Sequence, residues 1–128
     1  VIKTKKNMTN QEIANRYAEW YRQDKIAEIR NEFFSADIVC REPEHMSGKG
    51  LDIVTKGIEA VEAKSKARRD SIAEVHSIHC SEPVVAGDHF SVALGRDLTF
   101  KNGQRVQMME IGVFGLKDGK IVTETFFY

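Results

Sequence analysis

Two prolines, two cysteines and one tryptophan in 128 residues leave little material for rigid linkers, a disulfide framework or a metal cluster. Cys40 and Cys80 lie far apart and lack the close spacing of zinc or redox motifs. They read as two reduced, buried thiols, with a disulfide between them as the other reading. A surplus of either charge is also missing. Lys plus Arg is 19 and Asp plus Glu is 19, so the formal net charge is zero. Nucleic acid or an anionic membrane as main partner would favour a basic surplus, so neither is expected. No apolar run approaches a membrane span. Lys3, Lys5 and Lys6 are followed by polar Asn7, Thr9 and Asn10 where a signal peptide needs an apolar segment, so the protein reads as cytoplasmic.

A glycine-rich phosphate loop and a Ser-His-Asp set are absent as well. His76 and His79 lie three apart in a strand-like stretch, on opposite faces, and make a poor metal pair. No metal and no cofactor are expected. Residues 1–8 read as a disordered leader or a remnant of cloning or processing. Residues 9–128 read as one domain, long enough for a real core.

What is present is a change of period. Thr9-Asn10-Gln11-Glu12 forms a capping box, and the helix after it aligns Ile13, Tyr17, Trp20 and Tyr21 on one face. Asp24 can cap a second helix over 25–34, which Ser35-Ala36-Asp37 breaks. Ile38 to Glu42 reads as a short strand ended by Pro43. Residues 44–56 read as a loop able to cover a pocket. A third helix, from Gly57 to about Asp70, carries small inward residues that permit close approach to a sheet. Its Lys64, Lys66, Arg68 and Arg69 read as a solvated face near the negative end of the helix dipole. From Glu74 the period becomes two, with strands near 74–81, 89–100, 105–117 and 120–128. Asn102-Gly103 and Asp118-Gly119 mark hairpin turns. Helix, helix, strand, helix and four antiparallel strands make an α+β, cone-shaped curved sheet wrapped around three helices.

This plan resembles the nuclear-transport-factor-two-like superfamily, with its ketosteroid-isomerase-like and SnoaL-like (polyketide cyclase) proteins and its cystatin-like fold. The matching pieces are Asn15-Arg16-Tyr17, Phe34-Ser35-Ala36-Asp37-Ile38-Val39, Arg41-Glu42-Pro43, Gly57-Ile58-Glu59-Ala60-Val61 and Asp118-Gly119-Lys120-Ile121-Val122. The resemblance implies Glu42, just before a proline, as general base and Tyr17 as donor to an enolate oxygen. Where the isomerases carry a protonated Asp as second donor, Gly112 stands, and it has no donor side chain. The superfamily commonly dimerises through its outer sheet face, which implies a homodimer here.

Hairpin register decides which carboxylates share a pocket. A three-residue turn at 117–119 sets Gly112 opposite Glu124 and groups Met108, Glu110, Gly112, Phe114, Glu124, Phe126 and Tyr128 on the pocket face. A two-residue turn slips the last strand by one and removes Glu124. A two-residue Asn102-Gly103 turn adds Asp97 to that face and turns Leu94, Leu98, Met109, Ile111 and Val113 outward. The expected occupant is a small apolar or carbonyl-containing molecule between the first helix and the sheet. Trp20, Met108, Glu110, Gly112, Phe114, Glu124 and Phe126 are the candidate binding residues, with Glu42 and Tyr17 candidate catalytic groups. Cofactor-free isomerisation, cyclisation or dehydration is one expectation. A non-catalytic binding protein and a protein-interaction module are the others.

Overall fold

A computed structural model of the protein describes residues 8–128. Residues 1–7 of the expected leader lie outside the described residues, and Met8 packs, partly buried, against the core. The elements run α1 (Asn10–Arg22), α2 (Ile26–Phe33), β1 (Phe34–Arg41), β2 (Val54–Lys56), α3 (Ile58–Asp70), β3 (Ile72–Cys80), β4 (Val84–Ala86), β5 (His89–Phe100), β6 (Arg105–Lys117) and β7 (Lys120–Phe127). The architecture is α+β: three helices and a curved, unclosed sheet in the order β2-β1-β7-β6-β5-β3, with β4 on β5. The sheet is mixed rather than antiparallel, because β1 runs parallel to β7.

Helix α1 starts where the sequence places it. Thr9 Oγ1 accepts from the Glu12 amide at 3.1 Å, and the Glu12 carboxylate accepts from the Thr9 amide at 3.0 Å. Ile13, Tyr17 and Tyr21 are buried, while Trp20 sits at the edge of that stripe. Asp24 does not cap α2. It adopts a left-handed φ of 58°, and its carboxylate instead receives Arg96 Nη2 at 3.0 Å. This bond ties the α1–α2 corner to β5.

Strand β1 follows α2 without a break, so Ser35, Ala36 and Asp37 are strand residues. The loop expected over 44–56 contains a 3-10 turn at Glu44–Met46 and closes with β2 on the edge of β1. Both short strands, β2 and β4, have three residues, too few to display a period.

The terminal hairpin uses the two-residue turn. Lys117 pairs with Lys120, and Asp118 and Gly119 both take positive φ, 51° and 76°. A bulge then inserts Val122 between the Leu116–Ile121 and Gly115–Thr123 pairs. The extra residue restores the alternation that the turn alone would have inverted. Phe114 therefore faces Glu124, Gly112 faces Phe126, and Glu124 still points inward.

The other hairpin departs further. Its loop spans 101–103, with the Phe100 amide bonded to the Gln104 carbonyl at 2.8 Å. Met108 consequently pairs with Arg96, and Asp97 pairs with Gln107 on the outer face, where Arg105 Nε and Nη2 hold its carboxylate at 3.0 and 2.9 Å. Leu94 and Leu98, expected outside, are buried inside. Met109, Ile111 and Phe127 remain exposed on the outer face.

The core is aromatic where α1 meets the sheet. The Tyr17 ring lies 4.6 Å from Phe114 and 5.6 Å from Phe90, and Phe90 stacks on Phe114 at 4.8 Å. Such pairs contribute about 0.5–1.5 kcal/mol each beyond area burial. Cys40 and Cys80 are free and buried, and the two β-branched and aromatic terminal strands close the same core.

Candidate functional site

A cavity of about 1100 Å³ opens between the sheet and the helices. Its position differs from the expected one. Helix α1 supplies only Tyr17 and Tyr21, because the Tyr17–Phe90–Phe114 stack fills the rest of that side. Helices α2 and α3 supply most of the helical wall. Ala60, Ala63 and Ala67 of α3 line the space instead of closing on the sheet.

The sheet wall carries the acids. Met108, Glu110, Glu124, Phe126 and Tyr128 line the cavity together with Glu42 and Tyr17. Trp20, Gly112 and Phe114 do not. Trp20 packs on Phe33 at 5.9 Å, with the Arg16 guanidinium 5.2 Å from its centroid. Phe114 is fully buried beneath Tyr17. A Cβ at Gly112 would meet the Phe114 ring at 2.9 Å, so the position where a second donor was sought is covered by an aromatic side chain.

Glu42 is bound on both sides. Lys64 Nζ donates to its Oε2 at 2.8 Å, and the Tyr128 hydroxyl donates to its Oε1 at 2.8 Å. The Cys40 thiol lies 3.7 Å from Oε2. Burial, then the bond to Glu42, raises the Tyr128 phenol above its ordinary pKa. Across Tyr128, His45 Nε2 contacts the backbone oxygen at 2.5 Å and sets its ring edge-on at 5.9 Å. The loop after β1 is thereby tied to Tyr128, which lines the cavity.

Glu124 and Glu110 differ in kind. No ion pair reaches either among the described residues. Burial pushes Glu124 from 4.5 to about 7, with Cys40 and Lys64 opposing and Glu42 adding repulsion. Burial likewise lifts Glu110 to about 7, and the Glu42 carboxylate adds to it. In each case burial favours the neutral carboxyl over the form an ordinary glutamate takes at neutral pH. The Tyr17 hydroxyl makes no hydrogen bond among the described residues. Burial raises its pKa well above 10.0, and Tyr21, Glu124 and Glu110 add to the rise. It is a neutral donor facing acids that exchange protons near pH 7.

Lys64 and Arg30 are among the cavity residues that the sequence reading does not place there. Lys64 reads in the sequence as part of a solvated face, yet it lies three residues after buried Val61, on the same helical stripe. Arg30 follows Ile26 by four and precedes Phe33 by three, so the α2 stripe itself carries it inward. A group of His, Cys, Asp or Glu able to hold a metal is absent among the described residues. No helix among them is long and apolar enough to cross a membrane.

The family model described as the SnoaL-like domain matches residues 8–128. No curated protein matches the chain. Among solved structures, one from Mesorhizobium loti carries the names SnoaL-like polyketide cyclase and carbohydrate phosphatase. It is 34% identical over 94% of this chain and 100% of its own, with a TM-score of 0.85. A cystatin-like-fold protein of unknown function from Xanthomonas campestris is 17% identical over 94% and 90%, with a TM-score of 0.77. A protein of ketosteroid-isomerase-like fold from Catenulispora acidiphila is 18% identical over 94% and 87%, with a TM-score of 0.66.

Proposed function

The chain belongs to the SnoaL-like domain family, and from that premise we propose that it binds a small, largely apolar molecule with a carbonyl-like end and moves a proton on it without a cofactor. The observation that supports this reading is a large cavity lined by two carboxyls that have no ion pair among the described residues and are raised by burial to about 7, in company with a tyrosine hydroxyl that has no hydrogen bond among those residues. A carboxyl of that kind accepts and returns a proton at neutral pH, where an ordinary glutamate is too weak a base.

The roles divide by environment. Glu124 is the proposed base, taking a proton from the carbon next to the carbonyl and handing it back at the new position. Glu110 is its proton partner. Tyr17 donates to the oxygen as charge develops there. Glu42, which the resemblance implies as base, already accepts from an ammonium and a phenol. In this reading it fixes Lys64 and Tyr128 and repels charge from its two neighbours. Isomerisation and cyclisation both fit this proton economy.

A second reading, a binding protein without turnover, is favoured by Gly112, where the ring of Phe114 leaves no room for a second donor. In either case Met109, Ile111 and Phe127 are proposed to meet a second copy of the chain across the outer sheet face.

Native mass spectrometry of protein purified from its host tests the shared part. A co-purified small molecule is expected, and Tyr17→Phe is expected to lower its occupancy at least tenfold. Retention of the same molecule at equal occupancy by the Tyr17→Phe variant would remove the tyrosine from the site.

A further inference from the structure

We infer that Arg30 is the anion receptor of this cavity, so that the ligand carries a carboxylate or enolate-like oxyanion on its apolar body. This deepens the cavity reading above and rests on it.

Arg30 is 7% exposed and lines the cavity from α2. Its Nη1 donates to Ser65 Oγ of α3 at 2.8 Å, a neutral acceptor. A guanidinium has five N–H donors, and the rest make no hydrogen bond among the described residues. No carboxylate lies within ion-pairing distance of it among those residues. Arginine stays charged in proteins, even though burial and the nearby Arg69 cation draw its pKa down. The guanidinium nitrogens that make no hydrogen bond are not sealed in the core, since Thr55 Oγ1 alone is a buried partnerless polar atom among the described residues; they open onto solvent-accessible space, where a ligand could reach them.

Of the other cavity cations, Arg68 and Arg69 are exposed and make no ion pair among the described residues, so Arg30 is set apart by its burial, while two more are engaged. Lys64 holds Glu42, and Arg96 holds Asp24 and the Tyr21 hydroxyl. Glu124 feels the charge of Arg30 without an ion pair between them among the described residues, and both line the same cavity. Burial favours the neutral form of Glu124, which weakens it as a counter-charge. One buried unsatisfied group lines the same space: the Thr55 hydroxyl has no partner among the described residues. An anion entering the cavity meets a planar fork suited to two oxygens, in a space that Tyr17 and Glu124 also line. Arg30 thereby supplies, from the helical side, N–H donors that the Gly112 position cannot.

Two fluorescent probes with one aromatic body test this. 1-Anilinonaphthalene-8-sulfonate carries an anion, and N-phenyl-1-naphthylamine does not. The native protein is expected to bind the sulfonate at least tenfold tighter, with each probe displacing the other. Arg30→Met is expected to bring sulfonate affinity down to that of the neutral probe, whose own affinity stays within twofold. Arg30→Lys is expected to keep a preference for the sulfonate. Arg30 also borders a cleft of about 300 Å³ shared with Lys66, so Lys66→Gln is expected to change nothing.

Equal binding of both probes by native protein overturns the inference, and that result does not depend on any variant folding. So does undiminished sulfonate binding by Arg30→Met, or a loss in Lys66→Gln. If the neutral probe binds and the sulfonate does not, the inference falls while the cavity reading stands. If neither binds, both fall.

Discussion

Lys64 Nζ lies 2.8 Å from Glu42 Oε2 in a setting where the two side chains are only 24% and 10% exposed. That shielding separates this pair from the surface ion pairs of the molecule, such as Arg22–Glu82, whose glutamate is nearly all in solvent. Exposed pairs contribute about 0–1 kcal/mol, whereas breaking a buried one costs roughly 3–5 kcal/mol. Lys64→Met is therefore expected to destabilise the protein by about 2 kcal/mol in urea unfolding. Combined with Glu42→Gln, the loss should be smaller than the sum of the two. Additive losses would mean that the contact carries no coupling.

Glu124 gives the pH dependence its sign. Its folded pKa of about 7 lies above the ordinary 4.5, so between those values the folded chain holds a proton that the unfolded chain has released. The stability this contributes is complete below about 4.5 and is lost as pH rises through about 7. Glu110 acts in the same direction. Glu124→Gln should leave thermal stability near pH 4.5 almost unchanged and raise it at pH 8.5, by on the order of 2 kcal/mol. Native and variant curves that run parallel across that range would contradict the account.

The outer sheet face gives a prediction about assembly. Met109 and Phe127 are 62% and 54% exposed, and Ile111 between them is half exposed. Apolar strand residues open to this extent on one face are the usual mark of a contact surface. Sedimentation at tens of micromolar should give a dimer for native protein and a monomer for Ile111→Lys, with unfolding temperature changed little at low concentration. A native monomer under those conditions removes the proposed interface.

Elements with long, regular patterns were legible in the sequence. The capping box at Thr9 and Glu12, the stripe through Ile13, Tyr17 and Tyr21, and the long strands of β5, β6 and β7 stand where their periods place them. Faces were harder to read, because one residue of slip inverts a strand. Asn102-Gly103 invites a two-residue turn, but the loop takes a third residue, and Asp97, Leu94 and Leu98 change sides together. At the last hairpin the turn and the bulge each shift the register, and the parity of Glu124 survives because the two shifts cancel. Nothing local announces a bulge at Val122.

The site was legible in its acids more than in its cations. Glu110 and Glu124 follow from alternation along β6 and β7. Lys64 and Arg30 were hidden because a charged residue on a helix is read as solvated, although both sit at stripe spacing behind Val61 and Ile26. Where the resemblance pointed to Gly112 as the place of a missing donor, only the coordinates reveal the Phe114 ring lying over it.

The central claim is that an inward-facing carboxyl exchanges its proton near neutrality because the cavity wall strips it of water. Carbon-13 NMR of the glutamate carboxyl groups, with Glu124→Gln and Glu110→Gln used to assign the two resonances, measures this directly. Both resonances should titrate with midpoints near 7, well apart from the bulk of the glutamates. Midpoints near 4.5 for both would contradict the account.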